Sequence, residues 1–232
     1  VTIQGLNQAQ ALAFFEETTS ARNLIAYALK VLRTRELGDE VRDPIFTMLS
    51  VGVEKMYKLT LGVSALNSTG AWPSAKATKA WGHQISSMHD AIVSDLLNRC
   101  AGNGPYVHGL VKEVTSDQLV RPVIDALDSY GRRGRFYHLD ELGASTQSGA
   151  SPRQAWRAIE GAAMKDGVVS ELTRKAMENR DDSDLWARHH SAIHQRVALA
   201  VDHMQLMIAG SGRSGLLGDA GRALGLEVHQ PV

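Results

Sequence analysis

The strongest constraint on the fold is the regular apolar stripe that follows Asp43-Pro44. An acid before proline marks a helix start. The carboxylate can cap free backbone N–H groups, and proline has a helical φ and no N–H to lose. Behind it Ile45, Met48, Leu49, Val53, Met56 and Leu59 recur every three or four residues. That spacing lines one face of an α-helix. Glu54 and Lys58 stand four apart, an i,i+4 ion pair at the edge of the face. Asn67-Ser68-Thr69-Gly70 then breaks the helix.

Similar signals recur along the chain. A first helix spans about Leu6 to Thr34 and closes at Gly38. A third begins near Ser74, carries Trp81, Ile85, Met88, Ile92 and Leu96 on one face, and stops at Gly102-Asn103-Gly104-Pro105. A fourth runs from Ser116-Asp117 through Val123, Ile124 and Leu127 toward Tyr130. Gly131 and Gly134 then leave residues 132–138 as a loop or frayed helix end. Ser151-Pro152 opens a helix to about Lys165, and a short one covers about Ser170 to Asn179. The charged run from Asn179 to Asp184 caps a last long helix, Leu185 to about Ala209, and the glycine-rich residues 210–232 read as a flexible tail. No alternating strand pattern and no internal repeat is present. The expectation is an all-α bundle of four or five long helices, one domain over 1–209, with a small helical insertion at 143–182 before the last helix.

Lys plus Arg and Asp plus Glu both total 25, so no global field marks a nucleic-acid coater and any such site must be a local patch. The single cysteine, Cys100, rules out an intrachain disulfide and cysteine-based zinc sites. It fits a reducing cytoplasm, and its place at a helix end reads as an inert thiol. No apolar run nears the roughly 18 residues of a membrane span, and no charged-then-apolar leader pattern opens the chain, so no membrane partner is expected.

Two clusters carry chemistry. The first is Arg188-His189-His190-Ser191-Ala192-Ile193-His194, at the head of the last helix, with His203 further along. Histidine changes charge near neutral pH, which suits it to proton transfer. On a helical projection His190, His194, Val197, Val201, Met204 and Ile208 fall within about 40° of one line, so both histidines should face a core or a partner. Arg188 lies about 120° from His194. His190 and His194 have the spacing of zinc ligands on a helix, but Ser191 stands where a metalloprotease has its base and no third ligand is evident, so no metal is expected. Packing histidines beside a surface arginine are the other reading.

The second cluster is Arg132, Arg133 and Arg135 with Phe136, Tyr137 and His138. Three guanidiniums make an anion patch, and the adjacent rings could stack on an unpaired base. The alternative is a basic turn with Phe136 plugged into the core. Gly210-Ser211-Gly212-Arg213-Ser214-Gly215 matches a dinucleotide-binding string but follows a helix and has no strand–helix–strand context.

The order of parts resembles the HEPN superfamily of helical domains. Residues 50–59, Ser50-Val51-Gly52-Val53-Glu54-Lys55-Met56-Tyr57-Lys58-Leu59, are similar to its apolar helix with a Glu-Lys-x-x-Lys signature. Trp81-Gly82-His83-Gln84-Ile85 and Met88-His89-Asp90-Ala91-Ile92 are similar to its His-Asp-rich helix. The family hallmark is Arg, four to six residues of any kind, then His. Arg188 to His194 matches with five intervening residues, Arg133 to His138 with four and Arg132 to His138 with five. The resemblance covers residues 8–140 and the final helix. The chain departs from the usual form in lacking Asn after the Arg and in the extra helices before 185.

The resemblance implies a metal-independent endoribonuclease without cofactors, of the kind found in toxin–antitoxin and phage-defence systems. Such proteins act as homodimers, with the motifs of two chains in one cleft and a protein antitoxin as a further partner. Arg188 and His194 would form the catalytic pair, with Arg133 and His138 in reserve. Arg132, Arg135, Tyr137 and His190 would position RNA. The histidine would handle a proton at the 2′-hydroxyl or leaving oxygen, and the arginine would stabilise charge on the phosphate. The alternative is a non-catalytic helical module that binds a nucleotide or protein and dimerises through its last helix. A small-molecule-sensing bundle is a third reading.

Overall fold

Asp43-Pro44 opens a helix of 28 residues, Arg42–Thr69, in a computed structural model that describes residues 3–34, 42–101, 104–144 and 149–229. This helix, α2, buries Ile45, Phe46, Leu49, Val53, Met56, Leu59, Val63 and Leu66, the three-and-four spacing of a core-facing stripe. Before it lies α1 (Gln8–Thr34), which packs along α2. Their approach is set by Gly52, where a Cβ would stand 2.7 Å from the Ile25 side chain and 3.2 Å from the Ala21 carbonyl.

The helix expected from Ser74 is two. Ser74 caps α3 (Ala75–Ala80), the chain turns through Gly82 at φ +55°, and α4 (Ile85–Cys100) buries Ile85, Met88, Ile92 and Leu96. Cys100 is buried, and burial pushes its thiol pKa up. A helix the sequence reading lacked follows: α5 (Pro105–Ser116), with Pro105 in its first turn and Val107, Val111 and Val114 buried. Gly104-Pro105 therefore starts a helix, whereas α4 already ends at Cys100. The chain continues through α6 (Val120–Arg132), a 3₁₀ turn at Gly134–Phe136, and α7 (Tyr137–Leu142). A capping box of Ser151 and Gln154 opens α8 (Pro152–Ala163), and Asp166 caps α9 (Gly167–Glu178). These two helices, within the 143–182 segment, pack against α2, α6 and α10 (Ser183–Arg213).

The reading of residues 210–232 as a flexible tail is corrected for 210–229. Helix α10 continues to Arg213, and α11 (Gly218–Glu227) folds back on it with Leu217, Ala220, Leu224 and Val228 buried. The glycines serve close contact. A Cβ on Gly212 would lie 2.2 Å from the Gly221 carbonyl, and one on Gly225 2.6 Å from that of Ala209. The Gly210–Gly215 string is thus a helix end packed on a helix. Residues 230–232 lie outside the described residues.

All regular structure among the described residues is helical. One apolar cluster joins α1, α2, α4, α5, α6, α8, α9, α10 and α11. No described helix is long and apolar enough to cross a membrane.

Candidate active site

The best-assembled group of titratable side chains lies around Asp117, where the chain leaves α5. A short connection to α6 forces a turn, and Asp117 Oδ1 accepts the Leu119 N–H at 2.8 Å, a local bond that fixes the carboxylate. The side chain is only 4% exposed. The same oxygen accepts from Arg196 Nη2, and Oδ2 accepts from His203 Nδ1 at 3.0 Å. Burial alone would raise the Asp117 pKa; the donors from Arg196, Leu119 and His203 outweigh it and hold the carboxyl below its ordinary value.

Both donors come from α10. Arg196 and His203 are seven residues apart, so they project within about 20° of each other. Arg196 also donates through Nε to Asp166 Oδ2 at 3.3 Å. Asp166 Oδ1 meanwhile accepts the Val168 and Val169 N–H groups at the start of α9, so one carboxylate caps a helix and holds the guanidinium. Arg196 Nη1 is buried without a hydrogen-bond partner among the described residues.

On its other side His203 lines a groove of about 390 Å³ between α1, α5, α10 and the end of α11. Arg22 and Arg33 reach it from α1, Glu113 from α5, and Asp202 and His229 complete its polar wall. Arg33 donates to Asp202, and Arg22 donates to Glu227 at 2.9 Å. Burial raises the Asp202 pKa against the lowering influence of Arg33, His229 and His203. His229 Nδ1 is buried with no hydrogen-bond partner among the described residues, and burial pushes its pKa down while Asp202 opposes the shift. The constellation offers a carboxylate-oriented imidazole, a second imidazole and two guanidiniums. That set can move protons beside a bound anion.

The first-named sequence candidates fare differently. Arg188 is exposed while His194 is 5% exposed, so within one chain the two side chains have unlike surroundings. The His194 ring lies 6.1 Å from Trp156 with Nδ1 unpartnered among the described residues, and its pKa is lowered to about 4, by burial first and then by His190 and Arg42. The expected stripe through His190 is also corrected. His190 is exposed, and His189 is the buried neighbour, with neither ring nitrogen partnered among the described residues. Trp186 closes over His189 at 5.6 Å and α9 packs on the helix, which turns its buried side away from the line drawn through its middle.

The arginine-rich cluster is a solvent-facing ridge. Arg132, Arg133, Arg135 and His138 are exposed, and Tyr137 is half-buried with its ring edge-on to His138 at 5.3 Å. Phe136 is 62% exposed, so it does not plug the core. Arg132 donates to the buried carboxylate of Asp128 at 2.6 Å, and His138 Nδ1 lies 3.5 Å from Glu141.

The residues that carried the Glu-Lys and His-Asp patterns tie α2 to α4. Glu54 accepts from Lys58 at 2.8 Å and from His83 Nδ1 at 3.0 Å, and these partners lower its pKa against burial. The Tyr57 hydroxyl meets His89 Nδ1 at 2.8 Å; burial raises the phenol and lowers the imidazole to about 4. Asp90 receives Arg121 at 2.9 Å.

Asp117, Arg196 and His229 escaped the sequence reading, and His203 entered it only as one histidine among several. One signal was present: Arg196 to His203 fits Arg, six residues, His, at a spacing that keeps both on one helical face. Among the described residues no three His, Cys, Asp or Glu side chains converge as metal ligands. Comparison of the chain with protein-family models, curated proteins and solved structures gives no match.

Proposed function

We propose that the chain is a HEPN-like metal-independent endoribonuclease whose acid–base centre is His203. The observation that supports this most is that Arg196 and His203 lie on one face of α10 and bind the same buried carboxylate at the edge of a polar groove. Asp117 holds the Nδ1 proton and leaves Nε2 of His203 as the nitrogen for proton transfer, the division of labour of a carboxylate–histidine pair. Arg196 is a positioning residue, since its donors are engaged or buried inside the protein. Arg33, which lines the groove, is the cation placed to meet a phosphate. The long helices α1, α2, α4 and α10 serve as the HEPN-like bundle, with α8 and α9 as the addition before its last helix. A second copy closing over the groove, and a protein antitoxin, are the partners that go with this reading.

A second reading is a non-catalytic helical module that binds a nucleotide or protein. One observation favours it: the Asp117–Arg196–Asp166 chain is a closed network that can serve stability alone. Incubation of purified protein with RNA in EDTA separates the two. The nuclease reading expects cleavage that leaves 2′,3′-cyclic phosphate ends, slowed by about 100-fold or more in His203→Ala and unchanged in His194→Ala and His138→Ala. RNA left intact by the wild type sinks it. Loss of cleavage only in His194→Ala or His138→Ala moves the site to that histidine.

A further inference from the structure

The last described residues are fixed to the bundle at three consecutive carbonyls. Arg22 Nη1 donates to the Glu227 carbonyl at 3.4 Å, Gln205 Nε2 to that of Val228 at 3.1 Å, and Arg213 Nη2 to that of His229 at 2.8 Å. A helix end leaves such carbonyls without intrahelical donors, so the bonds stabilise the end of α11. They also determine where the next side chain goes. Residue 229 is held at the groove that His203 lines, with Nδ1 buried and without a hydrogen-bond partner among the described residues. Both rings are close enough to Asp202 to act on its carboxyl electrostatically.

We infer that His229 is a second proton-transfer residue of this site and works across the groove from His203. The inference rests on the endoribonuclease reading and adds a catalytic group to it. The two imidazoles have unlike surroundings, which is how one site holds an acid and a base together. His203 has a carboxylate on Nδ1, which fixes its tautomer and leaves Nε2 as the nitrogen to deliver a proton. His229 has no hydrogen-bonded carboxylate among the described residues; its charged neighbours are Asp202 and Arg213 from α10 and Arg33 from α1. Burial and the two arginines favour its neutral form, against Asp202 and a backbone hydrogen bond of the ring. His229 is therefore the base and His203 the acid.

The step balances. His229 takes the proton of the ribose 2′-hydroxyl, and the oxygen attacks phosphorus. The P–O5′ bond breaks, and O5′ receives the proton carried by Nε2 of His203. The products are a 2′,3′-cyclic phosphate and a 5′-hydroxyl, with one proton moved from His203 to His229.

The test compares RNA with a uridine 3′-aryl phosphate, whose aryloxide departs without needing a proton. Wild type, His203→Ala, His229→Ala and His229→Gln are assayed on both in EDTA, with thermal melts to report folding. His229→Ala and His229→Gln should lose about 100-fold on both substrates, while His203→Ala should lose that much on RNA and far less on the aryl ester. The wild-type rate should climb with pH on its acidic side, as a base must shed its proton, and that limb should vanish without His229. Wild-type rates in folded His229 variants, beside a defective His203→Ala, overturn the inference and leave the nuclease reading standing. A His229 defect confined to RNA overturns it too, because that is the signature of an acid. A wild type inactive on RNA removes the nuclease reading itself.

Discussion

Two ends of one helix, α10, treat histidine in opposite ways. Near its start His189 and His194 are buried against Trp186 and Trp156, and three of their four ring nitrogens are buried without partners among the described residues. About two and a half turns beyond His194, His203 is less buried yet has a carboxylate on Nδ1, and that carboxylate is itself braced by Arg196 and the Leu119 N–H. At the start of α10 burial favours the neutral rings, whereas an imidazole oriented by a carboxylate at a groove has a defined tautomer and a second nitrogen to use. Density of histidines drew attention to the first end. Orientation of one ring singles out the second.

The largest effect should come from removing the brace. Asp117→Ala leaves the Arg196 guanidinium largely buried beside an empty carboxylate site, a change that typically costs about 3–5 kcal/mol. Urea denaturation of the variant should show that loss, and His203 should lose its fixed tautomer with it. A variant within 1 kcal/mol of wild type breaks the comparison, because the two ends of α10 would then hold their side chains equally loosely.

The opposite end should announce itself in acid. His194 has a folded pKa of about 4 against an ordinary histidine value near 6.5 when unfolded. The unfolded chain therefore binds more protons between those values, and stability falls as pH drops from about 6.5 to about 4. The contribution is fully present above the upper bound and reaches at most about 3 kcal/mol. His89, lowered to a similar value beside Tyr57, adds to the same slope. His194→Phe should be neutral or stabilising at pH 5 and should flatten the dependence, measured by melting across pH 4 to 7. An unchanged slope assigns the acid sensitivity to His89 or to other groups.

Comparable in size to the acid effect is the packing of α11. Gly212→Ala places a methyl 2.2 Å from the Gly221 carbonyl, and backbone cannot yield as a side-chain tip can. Overpacking of this kind costs about 1–3 kcal/mol. It should also shift His229 from the groove, so on the proposed mechanism the folded fraction of Gly212→Ala would carry the His229 defect on both substrates.

The bundle was legible where one local signal spoke alone. The Asp43-Pro44 start, the α2 stripe and the Ser151-Pro152 start were all readable because capping and periodicity are properties of adjacent residues. Helix α5 was hidden because Gly104-Pro105 reads as a stop, although the same pair opens the next helix. The final helix was hidden because glycines that permit close contact with α10 are indistinguishable in sequence from glycines that loosen a tail. The site needed more than adjacency. Arg196 and His203 share a face by spacing alone, but their partner lies 79 residues from Arg196, in a turn whose importance only tertiary contact reveals. A helical projection likewise gave His190 to the core. The line was right for Val197 and Met204, but Trp186 and α9 set a different buried side further toward the N-terminus.

The smallest expected effect cuts closest to the comparison. Arg188 is exposed, on a helix turn flanked by solvent-facing Asp184 and His190. Replacing it with alanine should change stability by no more than about 0.5 kcal/mol, the ordinary range for a surface position. On the proposed mechanism Arg188→Ala also cleaves RNA at the wild-type rate, because the phosphate is met by Arg33 and the protons are handled at His203 and His229. A folded Arg188→Ala that no longer cleaves would transfer the chemistry to the start of α10. A second chain would then have to bring the guanidinium and the imidazole into one cleft, since within one chain Arg188 faces solvent and His194 faces Trp156. Mixing Arg188→Ala with His194→Ala decides that case: mixed dimers of two dead variants regain activity only if the site is shared between chains.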